Sequence, residues 1–229
     1  GEIAGEVVFT TGMTGYLEAL TDPSYHGQIL VQTFPLIGNY GVIPEDFESG
    51  APQVRAYIVR ECCQAPSNFR CEGTLASYLK AQNVIGLCGV DTRALTRAIR
   101  ENGVMNGIIT DSKTLTPAQQ ALLDSYEVRG AVQAVTTPEV RRYEAEGAQK
   151  HRVALWDFGT KRSLIQALRQ RGCQVTVWPA GSTAVEILAD EPEGIVLSEG
   201  PGDPAAEPAL THQIAQLCQA KRPVLGVGL

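Results

Sequence analysis

Leu197-Ser198-Glu199-Gly200-Pro201-Gly202-Asp203-Pro204 closes a short apolar run and opens a helical one. About two dozen residues later a second buried run, Pro223-Val224-Leu225-Gly226-Val227, leads into Gly228-Leu229. Working back from these two bends, the periodicity is regular. Val153–Phe158 reads as a strand, and Lys161–Arg171 as a helix carrying Leu164, Ile165 and Leu168 that stops at Gly172. Gln174–Trp178 is a strand, Thr183–Ala189 a helix, and Gly194–Leu197 a strand. Pro204–Ala220 is expected as one helix with Leu210, Ile214, Leu217 and Cys218 inward, and Val224–Val227 as the fourth strand. Short continuous apolar strands separated by amphipathic helices demand parallel, right-handed crossovers. The C-terminal part is therefore expected to be an α/β doubly wound, mostly parallel sheet. In such sheets ligands sit beyond the carboxyl ends of the strands, where both glycine-bearing bends fall.

The N-terminal part reads differently. Glu6–Thr11 and Gln28–Phe34 look like strands, with a turn at Gly12-Met13-Thr14-Gly15 and a helical turn at Tyr16–Leu20 between them. Residues 54–60 (VRAYIVR) alternate polar and apolar and give a third strand. Thr74 and Asp91 are placed to cap helices, the second ending at Gly103. Gly107–Thr110 resembles a strand, and Thr116-Pro117 opens a third helix. This half is expected to be α+β, with a sheet order that sequence does not give. The expected organisation is an N-terminal domain over 1–128, a connector with room for one strand over 129–151, and the doubly wound domain over 152–229.

Composition narrows the classes. A chain of 229 residues with 44% hydrophobic content can build real cores. The net charge of −6 argues against nucleic acid as a partner. No apolar run approaches the roughly 20 residues needed to cross a bilayer, so no membrane is expected, and the expected location is the cytoplasm. Cys62, Cys63, Cys71, Cys88, Cys173 and Cys218 lack paired short spacings, which weakens zinc and disulfide readings. No metal and no cofactor is expected within this chain. It opens without Met in sheet-like sequence and closes two residues into a turn, so both ends are expected to be cuts within a longer protein.

The glycines of Gly200-Pro201-Gly202 permit close backbone approach, Asp203 is placed to cap the next helix, and Pro204 to occupy its first turn. Exposed N–H groups there can hold a carboxylate or an oxyanion. Taken alone, an ordinary strand-to-helix turn explains the same residues. Gly226-Val227-Gly228-Leu229 matches the start of a G-x-nucleophile-x-G elbow, in which the N–H of Leu229 would face a developing oxyanion.

Several blocks closely resemble the small, glutamine-hydrolysing subunit of carbamoyl-phosphate synthase: Gly5–Phe9, Thr11–Tyr16, Leu20–Tyr25, Pro35–Gly41, Ser67–Phe69, Asp91–Thr96, Asp157–Arg162 and Ser198–Pro204. The resemblance covers essentially the whole chain, and its N-terminal blocks are more specific than the Gly-Pro-Gly turn shared by class I glutamine amidotransferases. It implies a flavodoxin-like amidotransferase domain, incomplete at its C-terminus, that hydrolyses L-glutamine. The ammonia would pass to a large synthetase subunit, which uses bicarbonate, ATP and Mg to make carbamoyl phosphate for arginine and pyrimidine synthesis. By the same resemblance Ser24, Gly200, Gly202 and Leu229 bind glutamine. Read without it, Asp22-Pro23-Ser24-Tyr25 is simply a good β-turn, Lys161 and Arg162 are solvated first-turn residues, and Asp157 supports a strand end.

One departure matters. Where the family carries its nucleophilic Cys, this sequence has Gly228, which can neither attack an amide nor form a thioester. The family's activating His and Glu lie beyond Leu229, and neither Cys218 nor Cys173 is placed to substitute. Removing a nucleophile from such a unit costs on the order of 10⁶-fold in a comparable hydrolase, so no catalytic residue is expected here. Two alternatives stay open: part of a glutaminase subunit with its nucleophile replaced, or a non-catalytic binding or regulatory partner of the synthetase subunit. Another class I amidotransferase is a weaker third.

Overall fold

The computed structural model describes residues 2–228, and the chain divides into two compact units between Arg129 and Gly130. In the first unit, β1 (Ile3–Thr10), β2 (Gln28–Gln32), β4 (Ala56–Ile58), β6 (Ile85–Leu87) and β7 (Met105–Ile109) form one sheet in the order β6-β4-β2-β1-β7. Four of these strands run parallel, and β7 joins β1 antiparallel at an edge. A separate parallel pair is made by β3 (Leu36–Ile37) and β5 (Glu61–Cys62). The helices are α1 (Tyr16–Thr21), α2 (Leu75–Ala81), α3 (Thr92–Asn102) and α4 (Pro117–Ser125). Thr74 and Asp91 cap α2 and α3 as expected, and Thr116 with Gln119 makes a reciprocal capping box on α4.

Both faces of this sheet are covered. Leu30 and Tyr57 pack with Tyr16, Leu17, Leu20 and Leu75, while Ile29, Val31, Ala56 and Ile58 pack with Val7 and Ile99. A strand buried on both sides reads as a continuous apolar run. This explains why the expected polar–apolar alternation over 54–60 corresponds only to the short strand Ala56–Ile58, all three residues of which are buried.

Thr21 ends α1 and is fully buried. Its hydroxyl donates to the Leu17 carbonyl at 2.8 Å and accepts from the Glu48 N–H at 2.8 Å, while Ser49 Oγ donates to its carbonyl at 2.6 Å. These bonds anchor the turn that follows, Asp22-Pro23-Ser24-Tyr25. Thr21→Val keeps the shape but strands the Glu48 N–H, which should cost about 1–3 kcal/mol. A thermal melt showing no loss relative to the parent protein would contradict this role.

In the second unit, β8 (Arg141–Tyr143), β9 (His151–Asp157), β10 (Cys173–Pro179), β11 (Gly194–Leu197) and β12 (Val224–Gly226) form a sheet in the order β12-β11-β9-β10-β8. All pair in parallel except β8. Its helices are α5 (Ala131–Val135), α6 (Arg162–Gln170), α7 (Ala184–Ala189) and α8 (Pro208–Cys218). Leu164, Ile165 and Leu168 of α6 cover one face, against Leu155, Val175, Val177 and Val196. Ile187 of α7 and Leu217 of α8 cover the other, against Ala154, Trp156 and Ile195. This is the doubly wound arrangement, and the chain reverses direction across the sheet between β9 and β11.

Three expectations change. Residues 130–151 are part of the second unit rather than a free connector: Val132 enters its core, β8 pairs with β10, and Thr136 and Thr137 bond to Asp157. The helix expected over Pro204–Ala220 is split into a 3₁₀ turn, Pro204–Ala206, and α8. Pro208 supplies the reason, since it disfavours helical angles at Glu207, which sits at φ −117° and ψ 61°. Asp203 consequently caps the short turn, accepting from the Ala205 N–H at 2.9 Å, and Cys218 is exposed rather than inward.

Candidate functional site

The two bends of the second unit lie side by side. Strands β11 and β12 are hydrogen-bonded neighbours with Leu197 opposite Gly226, and the Val227 N–H donates to the Leu197 carbonyl at 3.0 Å. Gly200 and Gly202 therefore follow one strand tip while Gly228 follows the next, at the carboxyl end of the parallel sheet.

Each glycine has its own reason. A Cβ on Gly200 would lie 2.3 Å from the Phe158 carbonyl oxygen, so only glycine lets the turn pass over the end of β9. Gly202 is at φ +89° and Gly228 at φ +81°, both in the region that L side chains avoid. The chain thus bends at Gly228, after the tip of β12, in a conformation that suits glycine. A Cβ at Gly228 would meet the Cβ of Glu199 at 3.0 Å. Leu229 lies outside the described residues.

The wall of the site is built by Asp157, Ser198 and Glu199, all buried. Asp157 Oδ1 accepts from the N–H groups of Gly159 at 2.9 Å and Thr160 at 2.7 Å, and Oδ2 from Thr137 at 2.7 Å. It is a strand-end brace. Ser198 Oγ accepts from the Phe158 N–H at 2.9 Å and donates to the Glu199 carbonyl at 2.7 Å, tying the tips of β9 and β11 together. Glu199 Oε1 accepts from the Lys161 N–H at 3.3 Å and lies 3.7 Å from Lys161 Nζ, so Lys161 is a charge partner rather than a merely solvated residue. Glu199 Oε2 is buried with no hydrogen-bond partner among the described residues. Sequence reading passed over Ser198 and Glu199. The signal available was their place immediately before the Gly-Pro-Gly turn. Behind that turn is a small, mostly apolar cavity of about 140 Å³ walled by Phe158, Leu197, Pro201, Leu210, Ile214 and Val227.

In the first unit, Ser24 sits in a 3₁₀ turn over Pro23–Tyr25, half-buried, its N–H donating to Asp22 Oδ1 at 2.9 Å. The turn is rigid. Nearby, Tyr40 Oη accepts from the Gly15 N–H at 2.9 Å, and the Tyr16 ring stacks on Tyr40 with centroids 4.1 Å apart. Burial, the largest cause, pushes both phenols above their ordinary values and keeps them neutral.

Comparison with known proteins adds to this geometry. Residues 1–109 match the carbamoyl-phosphate synthase small chain, CPSase domain, and residues 154–229 match the glutamine amidotransferase class-I family. A carbamoyl phosphate synthase small chain from Clostridium perfringens is 49% identical over 229 residues, covering 100% of this chain and 64% of the relative. The chain is similar over its whole length to carbamoyl-phosphate synthase small chains. Small chains from Syntrophotalea carbinolica (43% identical over 245 residues, 65% of the relative) and Listeria innocua (44% over 228 residues, 62% of the relative) match across 100% of this chain. The chain thus spans a little under two thirds of the length of these small-chain relatives. The first match lies in the first unit and the second in the second unit.

Among the described residues no cluster of three or more His, Cys, Asp or Glu side chains is arranged to hold a metal ion, and no helix is long and apolar enough to cross a membrane. All six cysteines are free thiols.

Proposed function

We propose that this chain is the glutamine-binding part of a carbamoyl-phosphate synthase small subunit, acting on L-glutamine together with a large synthetase subunit. The observation that carries this reading is the adjacency of the Gly200–Gly202 turn and the Gly228 elbow on neighbouring parallel strands. In a complete amidotransferase of this kind, a thiolate on the elbow attacks the side-chain amide carbon. Backbone N–H groups hold the resulting oxyanion, ammonia leaves, and water then releases glutamate from the thioester. In the proposed arrangement Gly200 and Gly202 supply backbone groups, Leu229 contributes its own, and Ser24 contacts the substrate. ATP, Mg and bicarbonate belong to the large subunit, and this chain needs no cofactor of its own.

Gly228 alters the outcome. The site as written binds the amide without the group that cleaves it, and the large subunit would then draw on free ammonia. This favours a second reading, a non-catalytic partner that stabilises or gates the synthetase. Reconstitution separates the two. A chain extended to the length of its relatives, mixed with the large subunit, should support carbamoyl phosphate synthesis from ammonium chloride but not from glutamine. Glutamine-driven synthesis by the Gly228 form would contradict the inert site, and absence of any co-eluting complex would count against both readings.

Ser24 has a separate test. In a form carrying Gly228→Cys, Ser24→Ala should raise the KM for glutamine about tenfold, the worth of one hydrogen bond to a polar substrate group. An unchanged KM would make Ser24 a turn residue only.

A further inference from the structure

The first unit contains a larger cavity that glutamine chemistry does not use. It has a volume of about 600 Å³ and is lined by Arg60, Arg93, Arg97 and Arg100, with Thr11 and Thr33 among the remaining lining residues. No carboxylate among the described residues lines it, although the chain as a whole carries a net charge of −6. Arg93, Arg97 and Arg100 recur at helical spacing along one face of α3, and Arg60 comes from a different element, the segment after β4. Arg97 lies 3.8 Å from the exposed Glu101 carboxylate, whereas Arg60, Arg93 and Arg100 make no ion pair among the described residues.

The location is independent of the charge. Thr11 follows β1, Thr33 follows β2 and Arg60 follows β4, and these three strands are parallel neighbours. The cavity therefore sits outside the carboxyl ends of parallel strands, where open sheets of this kind bind ligands. An arginine row on a helix is ordinarily a solvated face. Here the row lines a cavity that Arg60, Thr11 and Thr33 also line.

We propose that this cavity binds a small molecule carrying two or more phosphate groups. Its volume falls in the roughly 300–1,000 Å³ range of small-molecule sites. Guanidinium forks match phosphate oxygens two at a time, and several uncompensated arginines require more than one negative charge. An extended acidic peptide would follow the helix face and leave the depth of the cavity unfilled. Phosphate binding here would depend neither on glutamine nor on Gly228.

The test is isothermal titration of the full-length chain with inorganic tripolyphosphate, at low salt and again at roughly 150 mM. Saturable one-to-one binding is expected, weakened at the higher salt. Arg60→Gln and Arg93→Gln should each weaken it about tenfold, the loss of one charge-assisted pair. Arg93→Lys should weaken it less, and supplies the answer should glutamine at either position disturb folding. Arg142→Gln, in the other unit, should leave it unchanged. No saturable binding at low salt, equal binding by the Arg60 and Arg93 variants, or binding of a polyglutamate peptide in place of tripolyphosphate would each overturn the proposal.

Discussion

Gly228→Cys, in a chain extended to the length of its relatives, should raise glutamine hydrolysis by on the order of 10⁴- to 10⁶-fold over the glycine form. The substitution supplies the missing nucleophilic atom, at a position whose φ of +81° a side chain enters only with strain. Two further features temper the gain. The new Cβ would lie 3.0 Å from the Glu199 Cβ and 3.3 Å from its Cα, so β11 must give slightly. The Glu199 carboxylate beside the thiol also disfavours the thiolate, which raises the thiol pKa. Adding Glu199→Gln removes that charge and should move the rising limb of the pH–rate profile to lower pH. Glutaminase assays of the single and double variants over pH check both points. A Cys form no faster than the Gly form would show that the elbow does not face the substrate.

Gly200→Ala should be among the most damaging single changes in the second unit. Its Cβ would fall 2.3 Å from the Phe158 carbonyl oxygen and 2.9 Å from the carbonyl carbon, and both belong to backbone that cannot swing aside. Phe158 is itself held, its N–H donating to Ser198 Oγ, and the following Gly159 N–H donates to Asp157 Oδ1. Overpacking against fixed backbone costs about 2–4 kcal/mol, which for a chain of this size lowers Tm by roughly 10 °C. Gly181→Ala is the control, because nothing lies within 4 Å of its added Cβ. Equal melting temperatures for the two variants would mean that the turn does not cross β9 as described.

Much of this was legible in the residues. The alternation of Val153–Phe158, Gln174–Trp178 and Gly194–Leu197 with helical stripes reports a buried parallel sheet, because strands covered on both faces carry no polar alternation. Thr74, Asp91 and Thr116 announced their helices because capping is local chemistry. Long-range pairing was not legible. The edge strand Arg141–Tyr143 is charged and short, and only its partner β10 reveals it. The single helix expected over Pro204–Ala220 breaks at Glu207, because Pro208 disfavours helical angles at the residue before it. In the site, the glycines stood out, while Ser198 and Glu199 did not, because their roles depend on β9 and α6 arriving from elsewhere in the chain.

A crystal structure of the extended Gly228 chain grown with L-glutamine addresses the substrate pocket directly, since a site without a nucleophile cannot consume its ligand. Intact glutamine should be found with its side-chain amide lodged between the Gly200–Gly202 turn and the bend at Gly228, hydrogen-bonded to main-chain groups there. Glutamine bound elsewhere, or those two strand tips left bare at saturating ligand, would contradict the assignment.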